Sequence, residues 1–241
     1  MTNITTTLPT SESVLQFEPE ELAAYLLEHL ADHPNDLHFN NLVANSIKQH
    51  YKNDDRVNQA FMEAWSWLVR EGLLVEKFGG NNWYFVSRRG QRTKGREDFA
   101  AFRRSNILPR ASIHPVVAER VWSNFVRGEY DTAVFQAFKE VEVAVRHAGK
   151  YGSTDIGTDL MGRAFNTQTG PLADMTLPEA ERRAMAALFT GAVGLFKNPS
   201  SHRHVVLSDP REAAEMISFA SLLMRIVDAR SGTTIAATKS V

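Results

Sequence analysis

The feature that most constrains this chain is a succession of helix-period apolar stripes between residues 114 and 231, each with its own start and stop signals. His114-Pro115 opens the first, which ends at Gly128, since proline suits a first helical turn and glycine suits the residue after a last one. Asp131 is placed to cap the second, which carries Ala133, Val134, Ala137, Phe138, Val141 and Val145 on one face and stops near Gly149. A glycine-rich passage follows (Gly152, Gly157, Gly162), with a short helix around Leu160–Phe165. Thr176 and Pro178 start a long helix through Phe196, with Met185, Leu188, Phe189, Ala192 and Val193 inward. Asp209-Pro210-Arg211-Glu212 starts the last, with Ile217, Ala220, Met224 and Val227 towards the core and an end before Gly232. Four amphipathic helices on short connections predict a bundle.

The first 90 residues read differently. Residues 1–14 are Thr-rich and predict a disordered tail. Pro19, Glu20 and Glu21 then start a helix carrying Leu22, Tyr25, Leu26 and Leu30. A shorter helix is expected over 41–51, and a third from the Asp54 cap to Glu71, with Val57, Phe61, Ala64, Trp65 and Leu68 as its stripe. Gly72 ends it, and the β-prone runs Leu73–Lys77 and Trp83–Ser87 flank Phe78-Gly79-Gly80-Asn81-Asn82 as a hairpin. Three helices and a hairpin follow the order of a winged helix, and Trp67–Val75 resembles the junction of third helix and wing. The outer positions of that third helix are Asp54, Asp55, Arg56, Asn58, Gln59 and Glu63. Carboxylates repel phosphates, so protein contact or substrate positioning fits it better than sequence-specific DNA reading.

The fold class expected is therefore mainly α, with a winged-helix-like domain over residues 15–88 and a four- to five-helix bundle over 114–231. A linker over 89–113 and a tail over 232–241 complete the division. Charge is uneven although the net value is −1. Residues 1–36 hold seven acids and no Lys or Arg, whereas 86–110 hold eight basic residues against Glu97 and Asp98. Such a block is either a solvated linker or a contact for a phosphate backbone. Cysteine is absent, which excludes disulfides, thiol catalysis and thiolate metal sites. No apolar run reaches the roughly 18 residues of a membrane span, and the start lacks the pattern of a signal peptide. A cytoplasmic chain without cofactor is expected, since Walker A, dinucleotide-binding, nucleophile-elbow and zincin motifs are all missing.

Chemistry concentrates in Phe196-Lys197-Asn198-Pro199-Ser200-Ser201-His202-Arg203-His204. Pro199 cannot continue a helix interior, so the chain turns there and gathers a cation, an amide and an imidazole at one bundle end. On these residues the segment resembles the HEPN superfamily, whose ribonucleases carry Arg, a polar residue and then His at similar spacing. More narrowly, Gly128–Glu142, the Leu160-Met161 and Ala164-Phe165 pairs, and Leu188–Pro199 resemble the bacterial Ymh family. The resemblance spans roughly residues 114–230.

It implies metal-independent RNA cleavage in a homodimer or higher homo-oligomer, with RNA as partner, no membrane, and a regulatory protein to restrain it. A role in antiviral defence or as a toxin goes with that reading. His202 would move a proton, Lys197 would neutralise charge on the transition state, and Asn198 would position the His or a phosphate oxygen. Ser201, Arg203 and His204 would contact substrate. Lys197 stands where the superfamily has Arg, and it supplies a point charge instead of a bidentate fork. Glu142 and Arg146 have the i,i+4 spacing of a surface ion pair, and in a bundle they could support the motif from behind. Read from the residues alone, Lys197 and Asn198 finish a helix and His202 bonds a backbone carbonyl. The reading from another functional class is a non-catalytic dimeric adaptor or nucleic-acid-binding regulator built on the winged helix.

Overall fold

The computed structural model describes residues 9–32, 34–35, 37–42, 44, 47–197 and 207–232. The chain is mainly helical and divides into two compact units, residues 1–102 and 103–241. Among the described residues, no helix is long and apolar enough to cross a membrane.

The first unit opens with α1 (Ser11–Gln16), where a tail is expected from the Thr-rich composition. Thr10 accepts a hydrogen bond from the Ser13 N–H, and Val14 is fully buried in the core, which gives this short helix tertiary support. The core also takes Leu22, Leu26 and Leu27 of α2 (Pro19–Ala31), whose start is closed by a capping box between Glu18 and Glu21. The segment expected as one helix over 41–51 holds two short pieces, α3 (Phe39–Leu42) and α4 (Lys48–His50). Between them, Val43 lies outside the described residues.

Tyr51 follows α4 and is 4% exposed, with its hydroxyl donating to the Pro9 carbonyl at 2.7 Å. Burial pushes its phenol from 10.0 up to about 12. The unfolded chain therefore releases this proton above pH 10 while the folded chain keeps it. Stability is present below pH 10 and is lost as pH rises towards 12, by roughly 3 kcal/mol at most. Urea melts between pH 9 and 12 should show this loss in the parent, and a shallower one in Tyr51→Phe.

The Asp54 carboxylate caps α5 (Asp55–Arg70) by accepting from the Arg56 N–H at 2.9 Å. Its buried stripe is the expected one, Val57, Phe61, Ala64, Trp65 and Leu68. The hairpin follows as β2 (Leu74–Glu76) and β3 (Trp83–Val86), with Val75 opposite Phe85. A short strand, β1 (Leu37–His38), pairs antiparallel with the other edge of β3 and gives the order β1-β3-β2. Two residues carry too little alternation to be recognised as a strand from sequence.

The residues expected as a linker are largely helical: α6 (Arg88–Arg92) and α7 (Arg96–Ile107). Gly90 in α6 is required by close approach, since a Cβ there would lie 2.5 Å from the Leu73 carbonyl oxygen. Phe99 is 2% exposed and packs on Trp67 at 5.5 Å between ring centroids, so aromatic burial outweighs the basic surroundings. Several of those cations have partners within their own unit. Arg96 pairs with Glu28 at 3.1 Å and covers the Tyr25 ring, while Arg104 donates to the Val126 carbonyl.

The second unit is a helical assembly of α8 (Pro115–Arg127), α9 (Tyr130–Ala148), α10 (Gly157–Ala164), α11 (Glu179–Ala192) and α12 (Pro210–Ser231). His114 caps α8 through Nδ1, and Gly128 ends it at φ +85°, a conformation that suits glycine. Asp131 lies in the first turn of α9 instead of at its cap, which is Glu129. Phe125, Phe138, Phe165 and Phe189 are fully buried, with Phe165 and Phe189 stacked at 4.1 Å. Phe189 and Ala192 of α11 meet the core as expected, whereas Leu188, also expected inward, is 39% exposed. The long helix towards Phe196 stops being α-helical after Ala192 and continues as a π-helical segment, Val193–Lys197.

Candidate active site

A buried carboxylate organises one face of the second unit. Glu142 sits mid-way along α9 and is 4% exposed, so its charge must be matched by donors. Three converge on it. The Lys197 ammonium donates to Oε2 at 3.0 Å, the Gly157 N–H to the same oxygen at 2.7 Å, and Arg146 Nη2 to Oε1 at 2.8 Å. The Glu142–Arg146 spacing suits an exposed pair, yet the side chains are 5% and 16% exposed. The tertiary contact with Lys197 makes the difference, because a third helix end covers the pair.

The π-helical segment brings Lys197 there. Its wider ring shifts the angular position of the residues that follow relative to a continued α-helix, and such segments are frequent at functional sites. Phe196 anchors it by stacking on Phe138 at 4.9 Å and meeting Phe219 edge-on. Gly194 lets it run close to α10, since a Cβ there would meet Thr158 Cγ2 at 3.3 Å.

A loop braces the other side. Arg146 Nε donates to the Asp155 carbonyl at 2.8 Å, so one guanidinium holds both Glu142 and the loop that delivers Gly157. The Asp155 carboxylate pairs with Arg163 and accepts from the Gly152 N–H at 2.8 Å. The Arg163 hydrogen bond, followed by that from Gly152, holds the Asp155 carboxyl below its ordinary value of 3.8. A depressed carboxylate stabilises the fold above the unfolded value and loses that contribution as pH falls through the lower folded one. Acid unfolding followed by circular dichroism between pH 5 and 2 should therefore be less steep in Asp155→Asn, which should also be less stable than the parent at pH 7.

Three charged groups, Lys197, Arg146 and Glu142, thus share one positive charge at the point where the chain enters Asn198. The Lys197 side chain is 14% exposed. The structure brings Lys197, Glu142 and Arg146 together. Asn198, Ser201, His202, Arg203 and His204 lie outside the described residues. Sequence reasoning missed Gly157, Asp155 and Arg163, whose contacts depend on how the 150–157 loop folds back and leave no periodic signal.

A cleft of about 350 Å³ lies between the start of α8 and the α9 and α12 helices, lined by His114, Glu140, His147 and Asp228 together with apolar side chains such as Val143 and Met224. His114 is 2% exposed, and both its ring nitrogens are engaged. Nδ1 accepts from the Val116 N–H at 3.3 Å, which leaves the proton on Nε2 facing Asp228 Oδ2 at 2.9 Å. Its backbone N–H donates to the Ser221 hydroxyl at 2.8 Å. This histidine ties α8 to α12 and has no free nitrogen for proton transfer.

Residues 111–227 match a family described as "Protein of unknown function (Hypoth_ymh)". Over that span the chain is similar to Hypoth_ymh. The Hypoth_ymh match covers a little under half of the chain and takes in Glu142, Arg146, the 150–157 loop and Lys197 together. No curated protein and no solved structure significantly matches the chain.

Proposed function

We propose that the chain is a cytoplasmic, metal-independent endoribonuclease of HEPN type, working as a homodimer in antiviral defence or as a toxin. The observation that carries the reading is Lys197, held by Glu142 at 3.0 Å and backed by Arg146, immediately before the Asn198–His202 motif. A fixed cation next to a short polar run and an imidazole is what phosphodiester cleavage needs.

In the proposed reaction, His202 accepts the proton of a ribose 2′-hydroxyl as the 2′-oxygen attacks phosphorus. The bond from phosphorus to the 5′-oxygen breaks, and the leaving oxygen takes up a proton. If that proton comes from the His202 of a second subunit, one acts as base and the other as acid. Lys197 balances charge on the phosphorane-like transition state, and Glu142 keeps the ammonium in place. The products are a 2′,3′-cyclic phosphate and a 5′-hydroxyl. The first unit has helices followed by a hairpin, in the winged-helix order, and on this reading it positions substrate.

The test is cleavage of total cellular RNA and tRNA by purified protein with EDTA present, with the ends of the products identified. Cleavage that survives EDTA and leaves cyclic-phosphate ends supports the nuclease. A second reading, a phosphate-binding adaptor without turnover, is favoured by the Lys197 charge being already shared with Glu142. It expects RNA retention with no cleavage by either the parent or Lys197→Arg.

A further inference from the structure

The outer face of α11 has no charge to hold water. From Ala184 through Phe196 the sequence carries no charged residue. Phe189, Ala192 and Val193 are buried in the bundle, while Ala184, Ala187, Leu188, Gly191 and Leu195 are exposed. Leu188 and Leu195 show 39% and 65% of their surface. A surface helix sets charged and polar side chains opposite its core stripe, and a helix that is apolar all round is buried. This one is apolar all round and buried on one side only.

Gly191 gives an independent indication. It sits inside the continuous helical run of α11 and the π-helical segment, where glycine is the least favourable residue after proline. Nothing in the protomer calls for it. Its φ lies outside the left-handed region, and a Cβ there would meet no atom within 4 Å among the described residues. A glycine in that setting suits close approach by a helix from outside the protomer.

The anionic backbone of RNA finds no cation on this face, and a helix lying on a membrane surface carries basic residues beside its apolar ones. The cover required is a protein surface equally free of charge. Ala184, Leu188, Gly191 and Leu195 follow the four-three-four spacing of a two-helix seam. A twofold pairing needs a surface that matches itself, and a second copy brings the same seam. Its position agrees. Leu195 lies two residues before Lys197, and Ile156, 57% exposed, immediately precedes Gly157. Lys197 and Gly157 donate to the same oxygen of Glu142, so exposed apolar residues flank the Lys197 cluster.

We propose that a second copy of this chain packs its α11 on α11 in the same direction, crossing at Gly191, so that the two Lys197 ends lie side by side. The direction rests on the nuclease reading, in which two subunits serve one phosphodiester. An antiparallel crossing at Gly191 would carry the two Lys197 residues about 18 Å apart along the helices.

Light scattering of the full-length protein should give twice the mass of one chain. Gly191→Arg adds a long charged side chain where the protomer has room, and it replaces a poor helix former by a good one. It should keep the parent helicity by circular dichroism and weaken self-association by about a hundredfold or more. Leu188→Lys, from an exposed position, should act in the same sense. The chain has no cysteine, so a single introduced thiol reports its own neighbour. Ala184 lies seven residues before Gly191, and an antiparallel pair would hold its two copies about 21 Å apart. In the proposed arrangement they face each other, so Ala184→Cys should cross-link to its own copy through a short bismaleimide. A monomeric wild type overturns the proposal, as does a Gly191→Arg protein that remains a dimer. A dimer that Gly191→Arg breaks but that Ala184→Cys fails to cross-link overturns the parallel direction. A wild-type dimer with that cross-link and no RNA cleavage keeps this interface and removes the nuclease.

Discussion

His202→Ala is expected to lower RNA cleavage by about 10²–10⁴-fold, the span associated with loss of a positioned general acid or base. An imidazole is suited to this task because its ordinary pKa lies near neutrality, so both proton-accepting and proton-donating forms are populated. A melt at the parent temperature is the control that separates lost chemistry from lost folding. Single-turnover cleavage of a labelled tRNA, compared at equal folded concentration, measures the ratio. A variant as active as the parent would remove His202 from the mechanism. Lys197→Arg is the companion. A guanidinium provides the bidentate phosphate contact that an ammonium cannot, so cleavage should be kept or raised if Lys197 touches phosphate.

The second large effect is on stability. Glu142→Ala should destabilise the second unit by about 3–5 kcal/mol, as removal of one member of a buried charge cluster does. The carboxylate accepts from Lys197, Arg146 and the Gly157 N–H. Without it, two cations sit side by side with side chains only 14% and 16% exposed, and a loop amide loses its acceptor. Glu142→Gln retains an acceptor for Gly157 and should lose less. Thermal melts with helicity as readout order the three proteins, parent above Gln above Ala. Equal melting temperatures for all three would show that the cluster is open to water.

Much of the helical framework was legible because it follows from local rules. The α5 stripe and the hairpin strands are where apolar periodicity places them, and Gly128 and Gly232 follow α8 and α12 in left-handed conformations. The basic run at 88–104 was misleading, since charge predicts exposure while Phe99 and Phe102 make the same segment amphipathic enough to dock. Of the candidate site, Lys197, Glu142 and Arg146 were each visible as residue types with suitable spacing. That the lysine meets the glutamate 55 positions away was not.

The sequence by itself determined the mainly α class, the capping signals of its helices, the apolar faces that make the cores, and the position of the Lys197–His204 segment after the α11 helix. Those properties depend on neighbours within a few residues, which hydrophobic period and capping chemistry report directly. Only the tertiary structure decided that Glu142 is buried, that the π-helical turn delivers Lys197 to it, and that β1 sets His38 against Trp83. Burial and long-range pairing arise from packing between elements distant in the chain, and a buried charge becomes tolerable only where several such elements supply its donors together.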